Sequence, residues 1–124
     1  MSILFRMSVT GQRLLVTASG EDDSPAQVLE YGLAVIEAAI QHQVRQVLCD
    51  ERNLTYRIGT VDTYLVAEKI AEAAPKVGRV ALVCNAAGKT DAKFWENVAV
   101  NRGLIVRVFQ SMDEAVGWLD QLRV

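Results

Sequence analysis

The chain has 124 residues, a length that favours a single domain and excludes a two-domain enzyme. Apolar residues make up 51% of the sequence and charged residues 23%, a balance that predicts a globular fold and excludes intrinsic disorder. The net charge of −2 provides no general basic field, which argues against nucleic acid and acidic membrane surfaces as partners.

The sequence predicts a cytoplasmic chain without a membrane span. No apolar run approaches the roughly twenty residues that cross a bilayer, and Met1–Arg6 lacks the apolar core of a signal peptide. The only cysteines, Cys49 and Cys84, each end an apolar run. We expect both to be reduced, buried and chemically inert.

The first third of the chain predicts a β-hairpin and a helix. Met1–Val9 and Arg13–Ala18 are rich in apolar and β-branched residues, and the turn Thr10–Gln12 joins them. Ser24 is the predicted N-cap of a helix over about Pro25–Gln43, with glutamine three residues after the cap. The predicted core stripe of this helix is Leu29, Leu33, Ile36 and Ile40, widened by Val28, Gly32, Val35 and Ala39.

The middle of the chain predicts a strand, a polar loop and a second helix. Gln46–Asp50 is the strand, and the stretch that follows, Glu51–Gly59, is the loop. Thr60 is the predicted N-cap of a helix over about Val61–Ala74, which Pro75 ends. The apolar positions expected along this helix are Val61, Leu65, Ile70 and Ala73.

The last third predicts two further strands, each followed by a helix. Val80–Cys84 and Leu104–Phe109 are the strands, and a helix over Asp91–Arg102, closed by a glycine C-cap, lies between them. Ser111 begins the final helix with a capping box. Its expected apolar face is Ala115, Val116, Leu119 and Leu122.

The element order is therefore ββαβαβαβα. Strands separated by helices need right-handed crossovers, so the later strands should be mostly parallel and buried between helices. We predict an α/β layered fold with an N-terminal antiparallel hairpin and helices packed on the sheet.

The string Gly88-Lys89-Thr90 lies between a strand and a helix, as the end of a phosphate-binding loop would. That loop needs a further glycine where Val83 stands, so we favour a glycine turn with Thr90 as a helix N-cap. His42 is the sole histidine and is predicted to lie at a helix C-terminus. No metal site and no cofactor are predicted.

Ligands of open α/β sheets bind beyond the carboxyl ends of the parallel strands. The residues expected there form a mixed-charge rim, and we select Asp50, Arg52, Arg57, Thr60 and Asn85 as binding residues. Glu51, Gln110 and Ser111 follow strands as well. Trp95 and Trp118 are packing residues by default, and an apolar surface around either would be a dimer or partner interface.

Three segments resemble STAS domains of the anti-sigma-factor-antagonist type, and the SpoIIAA-like subgroup in particular. Val47–Thr60 resembles the central strand, loop and helix start of that family. Lys93–Phe109 and Met112–Leu119 look like its C-terminal half. The predicted element order matches the family too.

The resemblance implies a non-enzymatic regulatory domain that binds a protein partner, or itself as a homodimer, through the Arg52–Thr60 loop and the second helix. In antagonist proteins this helix begins with Asp-Ser-Ser-Gly, and the second serine is phosphorylated. The aligned residues are Ile58, Gly59, Thr60 and Val61, so Thr60 matches the acceptor hydroxyl, whereas the aspartate and the following glycine are absent.

Two alternatives stay open. The architecture is also similar to CRAL-TRIO lipid-carrying domains, which implies a carrier with an apolar pocket beneath the helices and a small apolar ligand. The third interpretation is an enzyme that uses the rim residues Asp50, Arg52 and Asn85.

Overall fold

The computed structural model describes residues 3–72 and 78–121, which form a five-stranded sheet and four helices in the predicted order ββαβαβαβα. The strands are β1 (Ile3–Thr10), β2 (Arg13–Asp22), β3 (Gln46–Tyr56), β4 (Arg79–Cys84) and β5 (Ile105–Phe109). The helices are α1 (Pro25–Gln41), α2 (Thr60–Glu72), α3 (Lys89–Asn101) and α4 (Met112–Asp120).

The strands lie in sequence order across the sheet, with β1 antiparallel to β2 and the remaining pairs parallel. Right-handed crossovers between successive neighbours place all three connecting helices on the same face. The larger apolar cluster lies there, beneath α1, α2 and α3. α4 packs on the opposite face against Leu48, Ala81 and Val83, which completes a three-layer fold. The predicted fold class is confirmed.

Local sequence signals account for the starts of α1 and α4. The Ser24 hydroxyl accepts a hydrogen bond from the Gln27 backbone N–H at 3.3 Å, with proline in the first turn. The Ser111 hydroxyl accepts one from the Glu114 backbone N–H at 3.3 Å. Both predicted N-caps are confirmed, as is His42 at the C-cap of α1.

The other two helices begin earlier than their predicted caps allow, α2 by one residue and α3 by two. The Gly59 carbonyl accepts the Thr63 N–H at 2.9 Å, so Thr60 is the first residue of α2 and not its N-cap. Before α3, the Asn85 side chain caps a short 3₁₀ turn, Ala86–Gly88, and α3 then starts at Lys89. The predicted N-cap at Thr90 is therefore wrong.

The buried stripes of α1 and α2 are rotated from the predicted ones. On α1 the buried residues include Tyr31 and Val35, whereas Leu33 and Ile40 are about two-fifths exposed. On α2 the buried set is Thr63, Val66, Ala67, Ile70 and Ala71. Val61 and Leu65, expected in the core, lie on the outer side of α2.

Some predicted features lie outside the described residues. These are the end of the second helix at Ala74 and Pro75, the core position Ala73, and Leu122 of the last helix. Within residues 3–72 and 78–121, no helix combines the length and hydropathy needed to cross a membrane.

A buried glutamate ties α3 to the edge strand β5. The Glu96 carboxylate accepts a hydrogen bond from the Val108 backbone N–H at 2.7 Å and another from the Lys93 ammonium at 2.9 Å. Glu96 is 8% exposed, whereas half of the Lys93 side chain is in solvent. The bond to Val108 is the stronger contributor, since exposed ion pairs contribute little.

Replacing Glu96 with alanine should therefore destabilise the fold by about 1–3 kcal/mol, because the Val108 N–H loses its buried acceptor. The matched variant Lys93→Ala removes only the exposed partner and should cost less than about 1 kcal/mol. Urea unfolding of both variants measures the difference. Equal losses would contradict the assignment.

Candidate functional site

A β-bulge in β3 organises the sheet where the predicted binding residues lie. β2 and β3 pair in register up to Thr17 with Asp50 and resume at Ser19 with Asn53. Glu51 and Arg52 therefore stand opposite the single residue Ala18. The segment after Asp50, predicted as a loop, is a strand that continues to Tyr56. Arg52 is thus a strand residue, which corrects its assignment to a loop.

Three of the predicted binding residues hold this bulge in place. The Asp50 carboxylate accepts hydrogen bonds from the Arg52 backbone N–H at 3.2 Å and from two guanidinium nitrogens at 2.9 Å each. These bonds hold the pKa of Asp50 below its ordinary value. The Asn85 amide donates to the Arg52 carbonyl at 3.0 Å while its oxygen accepts from the Gly88 N–H at 2.8 Å.

The other two predicted residues, Arg57 and Thr60, lie beyond the end of β3. The Arg57 side chain pairs with Glu21, and the Arg57 backbone N–H donates to the Asp22 carboxylate, which also accepts from the Ile58 N–H at 3.3 Å. Burial raises the pKa of Asp22 despite these two bonds. Thr60 is exposed in the first turn of α2.

One of the two bulge residues is a buried glutamate that lies beneath the helices. The two carboxylate oxygens of Glu51 accept hydrogen bonds from the Tyr31 hydroxyl at 2.7 Å and the Tyr56 hydroxyl at 2.6 Å. Glu51 is only 4% exposed, and burial raises its pKa although the two tyrosine bonds oppose the shift. Burial also raises the pKa of both tyrosines, with the neighbouring carboxylate as a second cause.

Sequence reasoning placed Glu51 on the rim without selecting it, and it missed both tyrosines. A signal was present in Tyr31, which interrupts the apolar stripe of α1 with a hydroxyl that needs a partner once it is buried. Tyr56 gave no such signal, because its side of the strand depends on the bulge.

The Glu51 cluster forms one end of a cavity between the sheet and helices α1, α2 and α3. The cavity has a volume of about 100 Å³ and its walls are mostly apolar. Its polar members include Asp22, Glu51 and Asp91. The other lining residues are Ile3, Val28, Tyr31, Gly32, Val35, Ile36, Cys49, Leu54, Tyr56, Ile58, Thr63, Ile70, Val80, Leu82, Ala92, Trp95 and Leu104.

The glycine of the Gly88-Lys89-Thr90 string makes room for one of these tyrosines. A Cβ atom on Gly88 would lie 2.7 Å from two ring carbons of Tyr56, closer than real contacts allow. Because the aromatic ring is rigid, Tyr56 leaves no space for a side chain at position 88. Packing against the Glu51 cluster explains the glycine without a phosphate.

The two cysteines behave as predicted packing residues. Both are free and buried in the sheet. Burial is the main cause that raises the pKa of each thiol, and the Glu51 charge adds to it. A protonated, buried thiol is a poor nucleophile and a poor metal ligand. Among the described residues, no group of three or more histidine, cysteine or acidic side chains is arranged to hold a metal ion.

The tryptophans have partners within the chain. Trp95 is half-buried, packs against the larger apolar cluster and lines the cavity. Trp118 lies 5.8 Å from the Phe109 ring, and the guanidinium of Arg79 lies 5.0 Å from its ring centre. Their part in an interface stays a prediction.

Comparison with solved structures identifies the architecture. An anti-sigma factor antagonist from Mycobacterium paratuberculosis superposes with a TM-score of 0.64 at 16% identity, covering 96% of this chain and 95% of that one. The unphosphorylated form of the antagonist SpoIIAA gives a TM-score of 0.56 at 21% identity, covering 96% and 100%. The chain has the SpoIIAA-like fold.

The likeness extends beyond the two antagonists. An uncharacterised protein from Shewanella loihica with a SpoIIAA-like fold gives a TM-score of 0.54 at 16% identity, covering 95% of this chain and 94% of that one. No family model and no curated protein matches the sequence. The predicted STAS-like architecture is thus confirmed from structure, at identities that establish the fold.

The buried carboxylate makes the stability of this SpoIIAA-like domain depend on pH. Because the folded-state pKa of Glu51 is raised above its ordinary value of 4.5, the folded state holds the proton more tightly than the unfolded state. The stabilisation that Glu51 contributes to the wild-type fold is therefore lost as pH rises from about 4.5 through the folded-state pKa. We expect Glu51→Gln to gain stability relative to wild type across that interval, in urea unfolding at a series of pH values.

The neighbouring Asp50 provides a control of opposite sign. Its pKa is lowered from 3.8, so its stabilisation is present above that value and is lost as pH falls through the folded-state pKa. The deficit of Asp50→Asn relative to wild type should therefore shrink below about pH 4. A Glu51→Gln difference that is constant from pH 4 to 8 would contradict the assignment.

Proposed function

We propose that this protein is a single, non-enzymatic STAS-like regulatory domain that binds a protein partner through the outer side of α2. The α2 surface comprises Arg57, Thr60, Val61, Tyr64 and Leu65. The observation that carries the proposal is the exposure of Val61 (72%) and Leu65 (49%), one helical turn apart, directly after Thr60. Exposed apolar residues grouped on one surface are a mark of protein interfaces.

The remaining members of the α2 surface have the composition of an interface. Tyrosine and arginine are enriched where proteins bind each other, and Tyr64 is 38% exposed. The guanidinium of Arg102 lies 5.6 Å from the Tyr64 ring centre and pairs with Glu68 at 2.7 Å. These contacts hold the tyrosine in place at the border with α3, which reduces the ordering that binding would require.

The likeness to two anti-sigma factor antagonists indicates which partner class to test first. By name, those proteins oppose anti-sigma factors. We therefore propose a protein of the anti-sigma factor class as the partner.

Thr60 is the proposed site of regulation on this surface. Its side chain is exposed in the first turn of α2, where a phosphate would lie at a helix N-terminus and be stabilised by the helix dipole. A phosphate there would also place about two negative charges beside the apolar Val61, which would change any interface that covers it.

The partner can be identified by affinity capture with the wild-type domain and then purified for binding measurements. We expect Arg57→Ala, Thr60→Glu and Leu65→Glu each to weaken binding by about tenfold or more. The first removes a side chain from the contact, and the other two place a negative charge within it. Ile105→Glu is the matched control, since Ile105 is 53% exposed on β5. Unchanged binding by Arg57→Ala and Thr60→Glu would remove the α2 surface from consideration.

A homodimer is a second part of the proposal, and the edge strand β1 supports it. Leu4, Phe5, Met7 and Val9 are 36–68% exposed on a strand that borders the sheet. A free edge presents a row of backbone donors and acceptors that another strand can pair with. Two copies of β1 related by a two-fold axis would pair antiparallel and bring these side chains beside those of the partner strand.

Light scattering during size-exclusion chromatography tests the dimer. We expect wild type to elute as a dimer and Leu4→Lys and Val9→Lys to be monomers, because a lysine on an edge strand opposes pairing. Ile105→Lys, on the opposite edge of the sheet, is the control and should stay dimeric. A monomeric wild type would contradict the proposal.

The lipid-carrier alternative has less support than the regulatory one. The comparisons offer nothing in its favour, and the cavity of about 100 Å³ is small beside the roughly 300–1,000 Å³ of pockets for drug-sized ligands. The proposed setting of the regulatory domain is the cytoplasm, which the two free buried cysteines favour.

A further inference from the structure

The cavity beneath α1, α2 and α3 is large for a protein interior and has mostly apolar walls. Protein interiors are close-packed and leave few voids larger than a water molecule, so a cavity of about 100 Å³ is a departure from ordinary packing. An apolar cavity of ~150 Å³ suffices to bind benzene. At about two-thirds of that volume, the space here suits an aliphatic group of about three carbons.

The charge of the cavity wall is of one sign. Asp22, Glu51 and Asp91 line it, and among the described residues that line it there is no lysine, arginine or histidine. Each oxygen of Glu51 accepts one tyrosine hydroxyl, whereas a carboxylate offers about four acceptor positions. Glu51 therefore has acceptor capacity left for a donor that enters the cavity.

Aromatic rings line the same cavity. Tyr31 and Tyr56 contact Glu51, and Trp95 lines the wall contributed by α3. Aromatic faces attract cations, and a buried carboxylate is stabilised when a cation pairs with it. A negatively charged ligand such as a fatty acid would meet three carboxylates instead.

We infer that this cavity binds a small primary amine, with its short apolar body among the core side chains and its ammonium hydrogen-bonded to Glu51. The site is separate from the α2 surface, so the proposal goes beyond the regulatory function. The two proposals have different tests, so a negative result with the amine does not decide partner binding through Leu65, and a missing partner does not decide amine binding in the cavity.

Three probes of similar shape and different charge test the site: propylamine, 1-propanol and propionate. Each is titrated into the wild-type protein while the NMR signals of the cavity methyl groups of Val35, Ile70 and Ala92 are followed. We expect propylamine to shift these signals and to bind about tenfold tighter than 1-propanol, because the charged donor pairs with a buried carboxylate. Propionate should not shift them.

The variant Glu51→Gln should bring the amine down to the affinity of the alcohol while leaving alcohol binding in place. Glu37→Gln, which removes an exposed charge from α1, is the matched control for general attraction of cations and should keep the preference. Ala92→Leu fills the cavity and should weaken both probes.

The comparison of the three probes on the wild-type protein tests the proposal even if a variant does not fold. Equal affinity for amine and alcohol, binding of propionate, or no shift of the cavity methyl signals with any probe would each overturn the proposal. An amine preference that survives Glu51→Gln in the folded variant would overturn it as well.

Discussion

The buried carboxylate of Glu51 is the constraint on which the surrounding structure depends. A carboxylate in an apolar layer is tolerated only with hydrogen bonds, and both of these come from tyrosines. Tyr31 must therefore face the sheet, which sets the rotation of α1. Glu51 and Tyr56 are five residues apart and would lie on opposite faces of a regular strand. The bulge after Asp50 shifts the alternation and brings them to the same face.

That constraint explains why the polar residues at the strand ends are not free to form an open binding rim. Asp50 and Arg52 close around the bulge, and Asn85 links the bulge to the turn before α3. Gly88 leaves space for the Tyr56 ring. Because these side chains are hydrogen-bonded within the bulge and the turn, their role is to hold the backbone in position. The exposed side chains near this end of the sheet lie instead on α2, which makes the first turns of that helix the better surface for a partner.

The element order follows from the sequence because periodicity, serine caps and turn glycines are local signals. The length of β3 does not, since the polar run after Asp50 looks like a loop until pairing with β2 is known. Val61 and Leu65 have the spacing of core residues, yet the contacts of α2 with its neighbours select Thr63 and Val66 for burial. The Glu51 cluster joins α1 to the far end of β3, and such a contact between distant segments leaves no pattern in one sequence.

α2 carries two different surfaces on opposite sides. At about 100° per residue, Val61 and Leu65 fall within one narrow sector of the helix, and Thr63 and Ile70 fall on the far side. The first pair is exposed, whereas the second lines the cavity. A molecule in the cavity would thus contact the inner side of the helix that carries the proposed partner surface. If occupancy shifts α2, the coupling is reciprocal, so a partner on the outer side would change the affinity of the cavity by the same factor.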